Sequence, residues 1–306
     1  MIATVAPILH ANEVAIDDAL VRGLLADQLP QWADLPLERV PVPGSDHVLY
    51  RLGTELVVRL PRKEGVDAQI DKERKWLPRF ASLLPCGVPV PLVKGESRPE
   101  YPFSWSVYRW LDGGTPSHGA ESRVLATDVA RFVVALRRID GRGGPIAGGQ
   151  NFFRGAPLAV RDAPTRAAIA ELAGTYDADA LTGAWEDALR APTWRGRPVW
   201  VHGDLTPENL LVREGRLAGV VDFGCLGLGD PACDVMVAWS LLEGEARDVF
   251  RTAVAADEAT WARGRGWALS TAVIALPYYQ DTHRPRAANA RYRIREVLAD
   301  LRGSSA

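Results

Sequence analysis

The sequence contains little cysteine and no long apolar run. Its 306 residues include three cysteines, Cys86, Cys225 and Cys233. They are too few for a disulfide framework, and Cys225 and Cys233 lack the companion cysteine or histidine pair of a zinc site. Arg, Asp, Gly and Pro interrupt the apolar positions too often for a membrane-spanning helix. The opening residues lack the basic start and long apolar stretch of a secretory signal. We therefore expect free thiols, no membrane partner and a cytoplasmic location.

An excess of charge of either sign is also absent. The chain carries 36 basic and 38 acidic residues, for a formal net charge of −2. Proteins that bind a phosphate backbone normally have a clustered excess of lysine and arginine, so no nucleic acid partner is expected. Lysine itself is scarce, because only Lys63, Lys72, Lys75 and Lys94 are lysines and the other basic residues are arginines. A mechanism that needs one particular lysine therefore has few candidates.

The first third of the chain has the pattern of short strands. A hydrophobic content of 47% is enough for a sizeable core, in one large domain or two packed lobes. An amphipathic helix is predicted over 14–29, and a second over 66–77, with Pro78 starting a further turn. The predicted strands are 37–42, 48–52, 56–60, 90–93 and 103–110. This pattern favours an antiparallel meander over alternating βαβ units.

The remainder of the chain is richer in helical patterns. Helices are predicted over segments such as 122–138 and 165–173, and most of 231–304 is helical in pattern. Short strands are predicted at 199–201, 210–212 and 218–221. We therefore predict an α+β fold with two lobes, 1–111 and 112–306, joined near 109–113 with a cleft between them.

Two neighbouring motifs carry residues suited to phosphoryl transfer. In VHGDLTPENLLV, Asp204 and Asn209 lie five residues apart on a loop that Pro207 keeps from being helical. In GVVDFG, Asp222 follows a short apolar strand. One carboxylate can deprotonate an acceptor hydroxyl, while a second carboxylate and an amide oxygen can hold Mg²⁺ on nucleotide phosphates. Either motif alone is usually a turn or a strand end, but their order and spacing together indicate a site.

With GDPACD and VYRWLDG in the same order, these motifs resemble the aminoglycoside phosphotransferase family of the protein-kinase-like superfamily, over nearly the whole chain. The resemblance implies a two-lobed kinase-like fold and transfer of phosphate from ATP or GTP, with Mg²⁺, to a small-molecule acceptor. It makes Asp204 the catalytic base and Asn209 and Asp222 the Mg²⁺ ligands. His202 would orient the catalytic loop, and Asp234 would accept hydrogen bonds from the backbone of that loop.

Other positions depart from a protein kinase or from the family. Gly203 stands where protein kinases have arginine, as it does in small-molecule kinases, which argues against a protein kinase. The phosphate-covering loop would be PVPGSD, with one glycine and Ser45, although a plain hairpin turn has the same pattern. Arg59 stands where the family usually has lysine. It could neutralise phosphate and pair with Glu73, or it could be a solvent-facing strand residue.

Further expectations concern the residues near the nucleotide base, one helix cap and the tryptophans. The resemblance puts Arg109 and Leu111 at the hinge, where backbone groups would meet the adenine edge. Asp230 is expected to cap a helix that begins at Pro231. Most tryptophans, including Trp239, Trp261 and Trp267, are expected in the core rather than at a sugar site.

Acidic residues give a weak indication of the acceptor. The two acid-bearing stretches hold Glu171, Asp177, Asp179, Glu186 and Asp187, and then Glu243, Glu245 and Asp248. They favour an aminoglycoside or amino sugar, because clustered carboxylates attract cations, but solvated helix faces explain them equally well. The alternatives are a kinase of a macrolide, a choline-like molecule or a sugar, and a catalytically silent nucleotide-binding module.

Overall fold

The computed structural model describes residues 14–41, 46–66 and 68–303. The chain divides into two compact units. The first comprises Met1–Ser82 and Gly87–Asp112, and the second comprises Leu83–Cys86 and Gly113–Ala306. None of the helices in these described ranges is long and apolar enough to cross a membrane.

The first unit is built on a five-stranded antiparallel sheet. Its strands are β1 (Leu37–Arg39), β2 (His47–Leu52), β3 (Leu56–Pro61), β4 (Pro91–Gly95) and β5 (Trp105–Arg109). Their order is β1-β2-β3-β5-β4, so the last strand inserts between the third and fourth rather than extending a simple meander. The predicted antiparallel arrangement is confirmed, and β3 becomes an inner strand paired with β2 and β5.

One helix covers apolar side chains of this sheet. Helix α1 (Asp18–Gln28) starts after Asp17, whose carboxylate accepts a hydrogen bond from the Leu20 amide at 2.9 Å. Such a cap satisfies an amide that the first turn leaves unpaired. Val21, Leu24 and Leu25 of α1 join the apolar core of the unit. Alternate positions of β2 and β3 contribute the sheet side of that core, namely Val48, Tyr50, Leu52, Val58 and Leu60.

The second helix runs further than the sequence predicts. Helix α2 (Ala68–Phe80) contains Pro78, so the expectation that this proline starts a further turn is wrong. Proline lacks one backbone donor, which costs a helix interior about 3 kcal/mol. Trp76, Leu77 and Phe80 are all buried around it. Burial of each such side chain contributes about 1.5–3 kcal/mol, which offsets that cost.

The second unit is mainly helical. Its helices are α3 (Arg123–Arg138), α4 (Asp162–Glu171), α5 (Ala178–Arg190), α6 (Ala232–Val235), α7 (Val237–Ser240), α8 (Gly244–Ala253), α9 (Glu258–Tyr279) and α10 (Arg284–Gly303). Trp239, Trp261 and Trp267 are buried, as predicted. The three cysteines form no disulfide.

Two small antiparallel sheets interrupt these helices. Strands β7 (Leu210–Arg213) and β8 (Arg216–Val220) form a hairpin. Its two turn residues, Glu214 and Gly215, both have positive φ, at 53° and 75°. Such a turn matches the twist of the flanking strands. Strands β6 (Val199–Val201) and β9 (Gly227–Gly229) form the other sheet, and β9 was not predicted from the sequence.

Candidate active site

The loop that carries Asp204 joins β6 to β7. Pro207 opens a short 3₁₀ turn, Pro207–Asn209, as its fixed φ allows. The Asn209 amide nitrogen donates to the Asp204 carbonyl oxygen at 2.8 Å and to its Oδ2 at 3.3 Å. This orientation leaves the amide oxygen of Asn209 as the atom that can act as a ligand. The Asp204 side chain is 28% exposed, so solvent and small molecules can reach it.

Asp234 anchors the start of this loop. Its two carboxylate oxygens accept hydrogen bonds from the His202 and Gly203 amides, both at 2.8 Å. Asp234 is fully buried, and burial raises its pKa, while these two backbone donors act in the opposite direction. The carboxylate therefore fixes the backbone immediately before Asp204, in the position that the resemblance implies.

His202 ties the loop to the second motif. Its Nδ1 accepts from the Asp204 amide at 3.2 Å, and its Nε2 donates to the Val221 carbonyl oxygen at 3.0 Å. A neutral imidazole with its proton on Nε2 satisfies both contacts. The ring packs edge-on against buried Phe223 at 4.7 Å. The histidine thus holds the catalytic loop and the Asp222 turn together.

Gly203 is required by the backbone and by its neighbours. Its φ is +84°, in the left-handed region that favours glycine. A Cβ atom at this position would lie 2.7 Å from the Cys225 carbonyl oxygen and 2.9 Å from Arg154 Cβ. A larger residue, such as the arginine of protein kinases, does not fit there. The space next to Asp204 is taken by Arg154 instead.

Asp222 lies beside the catalytic loop because two strand pairs return the chain to it. Val201 of β6 pairs with Gly227 of β9, and the Val221 amide donates to the Asn209 carbonyl oxygen at 2.9 Å. Asp222 has a φ of 60° and accepts at Oδ1 from the Gly224 amide at 3.4 Å. The positive φ of a non-glycine residue is a strained conformation that is common at functional sites.

In the first unit, Arg59 and Glu73 form the ion pair that the sequence suggests. Arg59 NH1 donates to both Glu73 carboxylate oxygens, at 2.7 and 2.9 Å. Arg59 is 9% exposed and Glu73 is fully buried, so Arg59 is not a solvent-facing strand residue. The Tyr108 hydroxyl donates to the same carboxylate at 2.6 Å. These contacts fix the guanidinium group on an inner strand of the sheet.

His47 completes this cluster. Its Nδ1 accepts from Arg59 NH2 at 3.2 Å. Burial lowers the pKa of His47, and the neighbouring Arg59 guanidinium lowers it further. The imidazole is therefore neutral near pH 7, and it leaves the positive charge of the cluster on Arg59.

The other predicted nucleotide-binding residues are less constrained. Arg109 is the exposed last residue of β5, and Leu111 is half-buried just beyond it. Residues 42–45 of the phosphate-covering loop, Ser45 among them, lie outside the described residues. Their assignments stay predictions.

Several acidic side chains that the sequence singles out are engaged in structural contacts. Asp230 accepts from the Ala232 amide at 2.9 Å, which supports the expected cap, although the helix itself starts at Ala232. It also pairs with Arg263 at 2.6 Å, a partner that the sequence does not indicate. Of the acidic stretches, Glu186 pairs with Arg166 and Asp187 with Arg265.

Arg154 is the functional candidate that the sequence pattern misses. Its NH2 lies 3.6 Å from Asp204 Oδ1, and its side chain is 15% exposed. Buried Asn151 holds the loop in place by donating to the Arg154 and Cys225 carbonyl oxygens, at 2.9 and 3.2 Å. Between them, Phe152 and Phe153 are exposed and both have positive φ. No motif marks Arg154, because it lies fifty residues before the aspartate that it contacts.

The chain has the fold of solved small-molecule phosphotransferases. A solved aminoglycoside phosphotransferase in complex with GDP and kanamycin superposes with a TM-score of 0.72 at 17% identity, covering 92% of this chain and 99% of that one. A macrolide 2'-phosphotransferase from Brachybacterium faecium superposes with a TM-score of 0.61 at 25% identity, covering 89% and 97%. The predicted two-lobed α+β fold is confirmed.

Sequence comparison identifies the family. The model of the phosphotransferase enzyme family matches residues 38–267. An aminoglycoside 3'-phosphotransferase from Streptomyces fradiae is 30% identical over 217 residues, which cover 65% of this chain and 74% of that protein. One from Escherichia coli is 39% identical over 59 residues, 19% of this chain and 22% of that protein. The chain belongs to the phosphotransferase enzyme family, and it is a nucleotide-dependent kinase of a small molecule.

Proposed function

We propose that this chain transfers the terminal phosphoryl group of ATP or GTP to a hydroxyl group of a small molecule, with Asp204 as the general base. The observation that carries the proposal is the set of contacts around Asp204. Asn209 holds its carbonyl and carboxylate oxygens, while Asp234 fixes the preceding backbone. A carboxylate that is held in place yet partly exposed can accept the proton of a bound hydroxyl group.

Asn209 and Asp222 are the proposed ligands of Mg²⁺. Their donor atoms are an amide oxygen and carboxylate oxygens, which suit a hard cation. No group of three His, Cys, Asp or Glu side chains in the described ranges is placed to hold a metal. This agrees with a cation that takes its other ligands from phosphates and water, as Mg²⁺ commonly does. When bound, Mg²⁺ would neutralise charge that develops on the transferred group.

Arg59 is the proposed donor-side cation of the first unit. Glu73 and Tyr108 fix one side of its guanidinium group, as a helix carboxylate would fix a strand lysine. Arginine keeps its positive charge at all physiological pH values and can contact phosphate oxygens through more than one N–H group. Because the donor is a nucleoside triphosphate, we assign the reaction to the cytoplasm.

The acceptor is a hydroxylated small molecule. Aminoglycosides and a macrolide are named for the similar proteins, so hydroxylated antibiotics are the first acceptors to test, with amino sugars beside them. The carboxylates of Glu186 and Asp187, expected from the sequence to attract an amine, are paired with arginines. A negative pocket for the acceptor therefore has little support.

The experiment is a comparison of Asp204→Asn with the wild type. Nucleotide consumption and phosphorylated product are measured with ATP and GTP over a panel of aminoglycosides, macrolides, amino sugars and sugar acids. We expect kcat to fall about 10²- to 10⁴-fold, because the substitution removes the general base, while nucleotide affinity is retained.

Asp248→Asn is the matched control, since Asp248 is exposed on α8. It should leave kcat unchanged. More than half of the wild-type kcat in Asp204→Asn would exclude Asp204 as the base. Magnesium-dependent nucleotide binding without turnover of any acceptor would favour the silent module instead.

A further inference from the structure

Positively charged side chains gather around Asp204 in the second unit. Arg154 contacts its carboxylate, as described above. Arg293 of α10 is 6% exposed, and the charges that act on it are those of Asp204, Glu208, Arg154 and Arg286. Arg161, just before α4, lies close enough to Arg154 to be repelled by it. Arg154 thus feels the charges of Arg161, Arg286 and Arg293, and Asp204 and Glu208 are the carboxylates that act on Arg293.

Two of these arginines are held by neutral side chains. Arg293 NH1 donates to Thr271 Oγ1 at 2.8 Å, and Arg161 Nε donates to Ser270 Oγ at 3.3 Å. The two hydroxyl groups belong to consecutive residues of α9, so both arginines are held by the same turn of that helix. Within the part of the chain that the structure describes, neither Arg161 nor Arg293 has a carboxylate oxygen within 4.0 Å. The Nε atom of Arg293 is buried and has no hydrogen-bond partner in the same part.

Other buried arginines of the same unit are paired. Arg263 bonds Asp230 at 2.6 Å. Arg265 bonds Asp187 at 2.7 Å and Asp300 at 2.9 Å. Buried charges are normally paired because desolvation costs several kcal/mol for each ion. Among the described residues, Arg161 and Arg293 lack such a carboxylate partner, and Arg137 of the same unit, which also lacks one, is held instead by two backbone carbonyl oxygens.

The titration behaviour agrees with this arrangement. Burial lowers the pKa of Arg293 to about 10, and Arg154 and Arg286 lower it while Asp204 and Glu208 raise it. Burial also lowers the pKa of Arg161 to about 10, and Arg154 adds to that effect. Both groups are still cationic near neutral pH. A bound anion would relieve the repulsion and supply the missing partners.

We propose that Arg161 and Arg293, together with Arg154, form an anion subsite next to Asp204, and that the acceptor carries a carboxylate or phosphate group which binds there. The inference rests on the proposed function, because it narrows the class of acceptor for the same reaction. The hydroxyl group goes to Asp204 and the acidic group to the arginines. Exposed Phe152 and Phe153, adjacent to Arg154 in the chain, offer apolar surface for the body of such a molecule.

The subsite belongs to acceptor recognition rather than to the donor. Its arginines lie on the loop before α4 and on α10. The proposed cation ligands Asn209 and Asp222 belong to other segments, the turns next to β7 and β8, and Asn209 contacts Asp204 at Oδ2, whereas Arg154 lies beside Oδ1. A phosphate of the donor is the other source of the same chemistry, and the experiment separates the two.

The test uses the full chain with saturating ADP and Mg²⁺, so that the donor site is filled. Calorimetry then measures the binding of glucuronate, glucose 6-phosphate and inorganic phosphate, with glucose as the neutral reference. We expect at least one anionic probe to bind tenfold or more tightly than glucose. Arg161→Gln and Arg293→Gln should each reduce that advantage at least fivefold, Arg293→Lys should restore part of it, and higher ionic strength should weaken it.

Arg291→Gln is the matched control, because Arg291 is exposed on the same helix as Arg293. It should bind the anions as the wild type does. If Arg293→Gln does not fold, the half-buried Arg161 variant still decides the matter. Equal binding of the anions by wild type and the Arg161 variant would overturn the proposal, as would a raised KM for nucleotide with unchanged anion affinity.

Turnover distinguishes this inference from the proposed function. Under the inference, the Arg161 and Arg293 variants raise the KM of an acidic acceptor at least tenfold while the KM of the nucleotide stays within twofold. Efficient phosphorylation of kanamycin, unchanged in both variants, would overturn the anion subsite and leave the kinase intact. Absence of nucleotide consumption with every acceptor would contradict the proposed function, whereas anion binding to the arginines could still be measured.

Discussion

Removal of the Asp230 carboxylate should destabilise the second unit strongly. Asp230 and Arg263 are 5% and 4% exposed. The carboxylate accepts from Arg263 Nε at 2.6 Å, from Arg263 NH2 at 3.3 Å and from the Ala232 amide at 2.9 Å. Asp230→Ala leaves a buried guanidinium group with only the Pro192 carbonyl and the Thr260 hydroxyl as partners. Breaking a buried pair in this way costs about 3–5 kcal/mol.

The assay is urea unfolding of the full chain, followed by fluorescence of the buried tryptophans. The free energy of unfolding should fall by about 3–5 kcal/mol in Asp230→Ala. Asp248→Ala removes the same charge from an exposed position and should change it by less than about 0.5 kcal/mol. In Asp230→Ala/Arg263→Met both charges are gone, and its loss of unfolding free energy should be about 2 kcal/mol smaller than the sum of the losses in Asp230→Ala and Arg263→Met alone.

These measurements also decide the role of Asp230. If Asp230 has only a structural role, the Asp230→Ala variant should unfold at a lower urea midpoint. Its kcat, measured at a temperature where the variant is folded, should stay close to the wild-type value. A variant as stable as the wild type would refute the reasoning about the buried pair. A stable variant that loses kcat would place Asp230 in catalysis.

Three further outcomes follow from the contacts around the site. Asp222→Ala should weaken Mg²⁺-dependent nucleotide binding, because it deletes a charged oxygen ligand, and unchanged calorimetric affinity would mean that Asp222 only shapes its turn. Arg59→Ala should lower the free energy of unfolding by about 3–5 kcal/mol, because it leaves buried Glu73 unpaired. Arg59→Lys should lower both stability and activity less, because the positive charge remains. Equal stability and activity of the wild type and both variants would contradict this. The pKa of His47 is lowered from 6.5 in the folded chain, so its contribution to stability is present above about pH 6.5 and is lost as the pH falls below it. His47→Gln should flatten the fall in stability between pH 7 and pH 5, and parallel curves for the two proteins would count against a buried neutral imidazole.

Local patterns in the sequence predict most of the elements that position the site. The apolar spacing of the first third indicates the strands of the sheet, since alternate residues enter its core. The motifs around Asp204 and Asp222 indicate a phosphoryl-transfer site, because oxygen ligands and a base must converge for this chemistry. The sequence leaves two readings of Arg59 open, pairing with Glu73 or exposure to solvent, and the burial of both side chains decides for the pair.

Features that depend on distant parts of the chain could not be predicted in this way. β9 has three residues, two of them glycine, and it exists because β6 offers a partner. Arg154 and Arg293 are 139 positions apart, and their charges act on each other only in the folded unit, where α10 packs against α9. The continuation of α2 through Pro78 likewise depends on side chains that are buried in the folded unit. Tertiary packing, which leaves no short-range pattern in the sequence, decides all of these.

The β7–β8 hairpin between the two motifs allows residues to be inserted at its turn without moving the two acids of the site. Asp204 and Asp222 are held near each other by the β6–β9 pairing and by the Asn209–Val221 contact, not by the seventeen residues between them. The turn at Glu214 and Gly215 lies at the far end of the β7–β8 ladder from both acids. Extra residues there lengthen a loop that is already closed, at about 0.6 kcal/mol for each doubling of its length. The eighteen-residue spacing is therefore a property of this short hairpin, and a protein with the same two acids could place them much further apart in sequence and keep the same chemistry.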